Sequence, residues 1–263
     1  MATARNGTIS AERAALHGVL AAGAAVVLWG ALPVMRAQAS QLPALQMTAL
    51  ALMCACVVAS LSRVGAGGAA TTRLPAWLWL TLGTLLVGAI ALYFAALTRA
   101  PAAPVTLITY VWPLMFVMAS EVITLRRVRL VVLAGAVLAF GGAAVLVTRD
   151  WTGGLALTDF GGYALGLGSG ACWTVYSLLL QGRARMAADG FPVVFAVGAA
   201  VAGVLHLALE TPVWPLSAPV AATTAAIGAG PYGLAFIAWG HGLRHAPARA
   251  VGPLSYAVPL IAA

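Results

Sequence analysis

The sequence has few charged residues and no lysine. Of its 263 residues, 8% are charged and 62% are hydrophobic, whereas about 25% of an ordinary soluble domain is charged. All fourteen basic residues are arginine. So little charge does not provide the polar surface of a soluble domain, and the composition therefore predicts a membrane protein.

Cysteine is also scarce, and the positive charge is scattered. Cys54, Cys56 and Cys172 all lie within apolar stretches. Residues two positions apart on a helix point in different directions, so Cys54 and Cys56 are poor candidates for a disulfide. The arginines lie between apolar stretches and form no basic stripe. The positive charge therefore does not indicate a nucleic-acid-binding protein.

Apolar stretches of membrane-spanning length occupy most of the chain. A transmembrane helix needs about 20 apolar residues. The stretches are rich in Ala, Leu and Gly and lack the alternating polarity of barrel strands. They lie at residues 14–35, 43–62, 75–97, 102–120, 130–148, 159–181, 191–209, 219–243 and 248–263. The sequence therefore predicts an all-α membrane protein, a polytopic helical bundle with nine visible spans.

The arginines predict the orientation of these spans. If the N-terminus is cytoplasmic, only Arg36, Arg99 and Arg149 fall on the opposite side. The other eleven are Arg5, Arg13, Arg63, Arg73, Arg126, Arg127, Arg129, Arg183, Arg185, Arg244 and Arg249. Positive charge concentrates on the cytoplasmic side of membrane proteins. Residues 1–13 are therefore expected to be a cytoplasmic tail, and the first span is too long for a cleaved signal peptide.

The chain contains an internal repeat whose unit is five spans. Residues 97–101, Leu-Thr-Arg-Ala-Pro, return at an offset of 146 as residues 243–247, Leu-Arg-His-Ala-Pro. Tyr110 and Tyr256 are related by the same offset, while Trp29 and Trp173 are related by an offset of 144. Because five is odd, the second copy enters the membrane in the opposite sense. The sequence therefore predicts two inverted repeats.

The predicted repeats divide the chain near its middle. The first comprises helices 1 to 5 over residues 14–148, and the second comprises helices 6 to 9 over residues 149–263. A tenth helix is expected beyond the C-terminus of this sequence. Inverted repeats are typical of secondary transporters, whose solute site lies near the bilayer midplane at interrupted helices. The prolines that predict such gating breaks in spans four and nine are Pro101, Pro104, Pro113, Pro247, Pro253 and Pro259.

The repeated motifs resemble a known family. Each half has a tryptophan in its first helix and an Ala-Pro…Tyr…Pro-Leu pattern in its fourth, as in the EamA-type drug/metabolite transporter superfamily. Residues 110–113, Tyr-Val-Trp-Pro, and 171–173, Ala-Cys-Trp, are similar to the bacterial aromatic amino acid exporters. The resemblance implies ten helices, cytoplasmic termini, a bacterial inner-membrane location and export of amino acids or other metabolites through a central cavity.

Aromatic side chains inside the spans are the candidate substrate-binding residues. An aromatic face can stack on a ring-bearing solute and attract an ammonium group. The candidates are Trp29, Tyr93, Tyr110, Trp112, Trp173, Tyr176, Trp239 and Tyr256. Packing in the core or against lipid is the alternative for each of them, and Tyr93 and Trp239 are close enough to span ends to belong to the interfacial aromatic belt.

The remaining expectations come from the acidic residues and from the competing functions. The carboxylates all lie in loops or at span ends: Glu12, Glu121, Asp150, Asp159, Asp189 and Glu210. A carboxylate inside the membrane is usually functional, so its absence favours facilitated or weakly coupled export. A drug or multidrug exporter of the same superfamily and a structural membrane protein are the alternatives. No catalytic residue, cofactor or metal ion is expected, and the partners are a small solute and the lipid bilayer.

Overall fold

The described part of the chain is helical throughout. The computed structural model describes residues 2–65, 75–149, 151–181 and 186–262, and these ranges contain no β-strand. Eight helical segments within them are long and apolar enough to cross a membrane. Four charged residues of the sequence analysis lie outside these ranges: Arg73, Asp150, Arg183 and Arg185.

The helix bounds follow the predicted spans closely. The first helix begins at Ala2, ahead of the predicted span, and the part of it suited to a membrane is Glu12–Gln38. The helices are α1 (Ala2–Gln38), α2 (Ala44–Gly65), α3 (Ala76–Leu97), α4 (Ala102–Thr109), α5 (Trp112–Leu125), α6 (Leu130–Thr148), α7 (Phe160–Gln181), α8 (Met186–Leu209), α9 (Ala218–Ile227), α10 (Ala235–His245), α11 (Ala248–Val251) and α12 (Ala257–Ala262).

The fourth span consists of two helices. Tyr110 and Val111 separate α4 from α5. Pro101 precedes α4, Pro104 lies in its first turn, and Pro113 lies in the first turn of α5. A proline in a first turn lacks only an N–H that would have no partner inside the helix. The prolines therefore start the two helices, and the break falls just before Pro113.

The eighth and ninth spans are also irregular. Residues Gly228–Leu234, which contain Pro231, form a π-helical segment between α9 and α10. Pro247 precedes α11, and Pro253 lies in a 3-10 segment, Gly252–Tyr256, between α11 and α12. Pro259 follows within α12. The ninth predicted span is therefore not one continuous helix, because proline removes a backbone donor and crowds the preceding turn.

The helices form two groups with a shared interface. In the first group, α10 and the segments from α11 to α12 pack on α1. In the second group, α3, α4 and α5 pack on α7. The α2 helix lies along α8 beside both groups. The α6 helix is the least buried of the candidate spans, with Leu130, Leu138 and Val145 exposed, as an apolar helix facing lipid can be.

Glycines allow close contact within each group. A Cβ atom on Gly18 of α1 would lie 3.0 Å from the backbone nitrogen of Ala246, just after α10. A Cβ atom on Gly162 of α7 would lie 2.5 Å from the Cβ and 3.1 Å from the nitrogen of Ala100, just after α3. Small residues bring membrane helices into direct backbone contact. Each group therefore has a close helix contact at one of its ends, and a glycine makes that contact possible.

Ionic contacts lie at the two ends of the bundle. We call the end at which α1, α3 and α8 terminate the Arg36 end, and the opposite end the His245 end. At the Arg36 end, the Glu210 carboxylate accepts backbone N–H bonds from Leu45 and Gln46 in the first turn of α2. Toward the His245 end, Arg129 Nε donates to Glu121 over 2.7 Å, and this carboxylate holds the pKa of the Arg129 guanidinium above its usual value.

Neighbouring glycines in α7 provide a test of this packing. We expect Gly162→Ala to lower the free energy of unfolding by about 1 to 3 kcal/mol, because the added methyl overpacks the contact with Ala100. A Cβ atom on Gly161 would meet nothing within 4 Å, so Gly161→Ala is the matched control. Thermal unfolding of the purified variants in detergent measures both. Equal melting temperatures for the two variants would contradict the packing.

Candidate functional site

A cavity of about 220 Å³ lies between the two helix groups. In the first group, α1, the π-helical segment, α10, the 3-10 segment Gly252–Tyr256 and α12 contribute to its walls. The opposite walls come from α3, the α4–α5 break and α7. The lining residues are Trp29, Leu32, Pro33, Ala89, Ile90, Tyr93, Phe94, Thr109, Tyr110, Trp112, Trp173, Tyr232, Phe236, Ser255 and Val258.

The cavity lies in the half of the bundle nearer the Arg36 end. The α1 helix contributes its wall from Trp29 onward, and α3 contributes its wall from Ala89 onward. Both positions lie beyond the middle of their helices, toward the Arg36 end. On the His245 side the groups are in contact: a Cβ atom on Gly252 would lie 2.5 Å from Val117 Cγ2 and 3.3 Å from the Phe116 ring. The interface is therefore more open on one side than on the other.

Five of the eight predicted binding residues line the cavity. They are Trp29, Tyr93, Tyr110, Trp112 and Trp173.

The other three predicted residues lie deeper in the bundle. Tyr176 and Trp239 are each 1% exposed and Tyr256 is 4% exposed, and none of the three lines the cavity. Tyr176 is on α7, one turn beyond Trp173 toward the His245 end.

Three lining aromatics were not predicted: Phe94, Tyr232 and Phe236. Aromatic pairing across the predicted repeat, as between Trp29 and Trp173, does not mark Tyr232 or Phe236. At an offset of 146, Phe236 corresponds to Ile90 and Tyr232 corresponds to Leu86, so neither has an aromatic partner. Their position beside Pro231, in a glycine-rich part of span eight, was the only sequence signal available.

Aromatic rings form the inner wall of the cavity. The Trp173 and Phe236 rings stack with their centroids 5.6 Å apart and an interplanar angle of 20°. The ring centroids of Trp29 and Trp239 are 5.3 Å apart. Trp112 packs edge to face on Trp239 with their ring centroids 5.9 Å apart. Tilted and edge-to-face pairs are the favoured arrangements of aromatic rings. The cluster joins the two helix groups directly beneath the cavity.

Hydrogen bonds orient aromatic side chains on both walls of the cavity. The Trp29 indole Nε1 donates to the Pro231 carbonyl oxygen over 3.0 Å, across the two halves of the chain. The Tyr93 and Thr106 hydroxyls are 2.9 Å apart and form a hydrogen bond between α3 and α4. Both bonds orient an aromatic ring at the cavity wall.

The cavity wall is uncharged. The Arg36 guanidinium does not line the cavity, but its Cζ lies 5.9 Å from the centroid of the lining Phe94 ring. Arg36 donates to the carbonyl oxygens of Ala39 and Leu42, which follow α1. Among the residues that the structure describes, no group of three or more His, Cys, Asp or Glu side chains could hold a metal ion. The site therefore offers aromatic faces, hydroxyls and backbone groups to a solute.

The Trp29 hydrogen bond predicts a specific loss of stability. We expect Trp29→Phe to lower the free energy of unfolding by about 1 kcal/mol or more, because the Pro231 carbonyl loses its donor in a membrane interior. Trp77 is 56% exposed at the start of α3, so Trp77→Phe is the control and should unfold like the wild type. Thermal unfolding in detergent compares them, and an unchanged Trp29→Phe variant would refute the role of this bond.

Comparison with known proteins gives one family. The profile of the EamA-like transporter family matches residues 16–148. The aromatic amino acid exporter YddG of Ancylobacter novellus is 30% identical over 239 residues, which cover 90% of this chain and 83% of that protein. A crystal structure of another protein has a TM-score of 0.86 and 28% identity, covering 93% of this chain and 86% of that chain. The similarities to this exporter and to the crystal structure both extend over nearly the whole chain.

Proposed function

Because the chain belongs to the EamA-like transporter family, we propose that it exports amino acids, aromatic or neutral, through the cavity between its two helix groups. It is a multi-pass membrane transporter and not an enzyme. The observation that carries the substrate class is the uncharged aromatic wall. The relative from Ancylobacter novellus, named as an aromatic amino acid exporter, supports the same class.

The wall suits a zwitterion with a ring. Stacking on Trp173 or Tyr110 contributes about 0.5 to 1.5 kcal/mol per ring pair, and an aromatic face attracts an ammonium group by about 0.5 to 2 kcal/mol. The hydroxyls of Thr109 and Ser255 lie on the same wall. They donate to the backbone carbonyls of Gly166 and Gly252, so their oxygens can accept a hydrogen bond from the solute. Since no charged side chain lines the cavity, a solute without net charge is favoured over a phosphate ester.

The size of the cavity distinguishes this proposal from drug export. Its volume of about 220 Å³ is below the range of about 300 to 1,000 Å³ that is typical of sites for drug-sized ligands. The cavity therefore favours a single small metabolite. A multidrug exporter of the same family would need a wider opening between the helix groups.

We propose that the two halves, residues 14–148 and 149–263, are inverted repeats that alternate the side on which the cavity opens. Two glycine contacts support this. Gly18 and Gly162 are related by the offset of 144, and Ala246 and Ala100, which they contact, are related by the offset of 146. Corresponding residues thus make corresponding contacts at opposite ends of the bundle.

The proposed orientation follows from the arginines. With residues 1–13 in the cytoplasm and the bundle in a bacterial inner membrane, the Arg36 end faces outward and the His245 end faces the cytoplasm. The cavity would then be nearer the outer face. Attachment of a small tag at the N-terminus and measurement of its accessibility in intact cells test the orientation.

Uptake into proteoliposomes tests the substrate. We expect saturable uptake of labelled phenylalanine and tryptophan, and weaker uptake of threonine, which has no ring. The double variant Tyr110→Ala, Trp112→Ala should raise KM by about 5- to 150-fold if the two ring contributions add. Trp214 is 62% exposed and does not line the cavity, so Trp214→Ala is the control with wild-type uptake.

The comparison holds only for folded protein, so each variant is first shown to be monodisperse and folded at the assay temperature. If none of the three amino acids is transported by folded wild-type protein, the amino acid assignment is wrong. A different metabolite of similar size then becomes the candidate for the same cavity.

The driving force is expected to be the gradient of the solute itself. Among the residues that the structure describes, no carboxylate lines the cavity, and coupling to protons or sodium ions usually requires one inside the membrane. Collapse of an imposed proton gradient should therefore leave the initial rate of uptake unchanged. A rate that falls with the gradient in tightly sealed vesicles would overturn this expectation.

A further inference from the structure

Arg36 lies beside both walls of the cavity. The Cζ atom of its guanidinium is 5.9 Å from the centroid of the Phe94 ring, which belongs to α3. Tyr232 of the π-helical segment is close enough to interact with the same charge. Phe94 and Tyr232 line the cavity from opposite helix groups. The guanidinium is therefore next to a lining ring of each group.

Backbone carbonyls hold this guanidinium in place. One Nη atom donates to the Ala39 carbonyl oxygen over 2.7 Å, and the other donates to the Leu42 carbonyl oxygen over 2.9 Å. Because an arginine has five N–H donors, these two bonds leave the others unused. The Nε atom is buried and has no acceptor among the described residues. The protein thus orients the guanidinium without satisfying all of its donors.

No carboxylate of the protein is paired with this charge. Among the residues that the structure describes, Arg36 takes part in no ion pair. The Glu210 carboxylate is close enough to interact with it. Its oxygens, however, accept backbone N–H bonds in the first turn of α2 and lie 2.9 Å from His206 Nδ1. A charged side chain within a membrane span is costly and marks a functional position by default.

The rest of the cavity offers little to a carboxylate. The face of an aromatic ring is its negative side, so the aromatic wall attracts a ring or an ammonium group but not an anion. The hydroxyls of Thr109 and Ser255 donate to backbone carbonyls and remain acceptors. A carboxylate on the solute therefore needs donors that the ring faces and these two hydroxyls do not supply.

Arg36 has such donors. A guanidinium binds a carboxylate through charge-assisted hydrogen bonds, often two in parallel. Arg36 as a whole is half-buried and not sealed off. A solute that extends from the cavity toward the Arg36 end can therefore reach the guanidinium while its ring stays on the aromatic wall.

We propose that Arg36 binds the carboxylate of the transported amino acid. The solute then lies with its carboxylate toward the Arg36 end and with its ring and ammonium group against the aromatic wall. This inference rests on the proposed function and identifies the residue that selects carboxylate-bearing solutes from other small molecules with a ring.

A purely structural Arg36 would cap the C-terminal end of α1 through the same two carbonyl bonds. Loss of a cap weakens the fold and affects every solute equally. Loss of carboxylate recognition affects only those solutes that carry a carboxylate. The test therefore compares probes that differ in this group alone.

Binding of 3-phenylpropionate and of 3-phenylpropionamide to the purified protein in detergent tests the contact. The two probes have the same ring and nearly the same size, but only the acid is charged. Trp29, Trp112 and Trp173 line the cavity, so tryptophan fluorescence reports binding without transport. We expect the wild type to bind the acid about tenfold or more tightly than the amide, because hydrogen bonds to charged groups are the stronger ones.

Substitutions at the Arg36 end assign this preference to one residue. Arg36→Gln should abolish the preference for the acid and leave the affinity for the amide unchanged. Arg36→Lys keeps the charge but not the planar fork, so it should keep part of the preference. Arg99 follows α3 at the same end, is exposed and does not line the cavity. Arg99→Gln is therefore the matched control, with the wild-type preference.

Uptake into proteoliposomes extends the test to the amino acid itself. Arg36→Gln should raise KM for labelled phenylalanine by about tenfold or more, for the same reason, whereas Arg99→Gln should not. Each variant is first shown to be folded at the assay temperature. The wild-type preference between the two probes needs no variant, so it tests the inference even if Arg36→Gln does not fold.

Three results would overturn the inference. The first is wild-type protein that binds the acid no better than the amide, or binds neither. The second is a folded Arg36→Gln variant that keeps the wild-type preference. The third is an Arg36→Gln variant that loses affinity for both probes equally, as expected of a cap alone.

Failure of this inference is distinguishable from failure of the proposed function. If phenylalanine is transported but the wild type does not prefer the acid, the carboxylate contact is wrong and amino acid export stands. If no amino acid is transported but the preference depends on Arg36, the amino acid assignment is wrong. The carboxylate contact then stands for another ring-bearing acid.

Discussion

A backbone amide or carbonyl that faces lipid has no water to bond, so each helix break in this bundle needs its partner inside the protein. The Pro231 carbonyl of the π-helical segment accepts from the Trp29 indole. At the break before α5, the Trp112 carbonyl accepts from the Thr174 hydroxyl over 3.2 Å. Each of these bonds therefore holds a break within its own helix group, and Trp29 and Trp112 both line the cavity between the groups.

The contacts within each helix group differ in kind from the contacts between the two groups. Within each group, glycines bring backbones together, as Gly162 does against Ala100, and such contacts leave no room for adjustment. Between the groups, the contacts are mainly aromatic edges and faces, such as Trp112 on Trp239. Ring pairs contribute little individually and have several favourable geometries. This difference is what allows the groups to move as units in the transport cycle that we propose.

The sequence predicted several elements of the fold because the bilayer imposes their length. Spans such as 75–97 and 130–148 were predicted to within a residue of the observed helices Ala76–Leu97 and Leu130–Thr148. Span nine, predicted over 248–263 with breaks at its prolines, contains the 3-10 segment Gly252–Tyr256 at Gly252 and Pro253. Apolar length determines that a segment crosses the membrane, while proline and glycine determine where it bends.

The sequence by itself determined the helical membrane class, the limits of most spans and the family. These properties follow from the composition and from the spacing of residues along the chain, and they do not depend on tertiary contacts. Only the tertiary structure decided which aromatics line the cavity: Phe94 and Phe236 line it, whereas Tyr176 and Trp239 lie below it. The physical reason is that these helices are apolar on all sides, so hydrophobic periodicity does not distinguish a face toward the cavity from a face toward lipid or core.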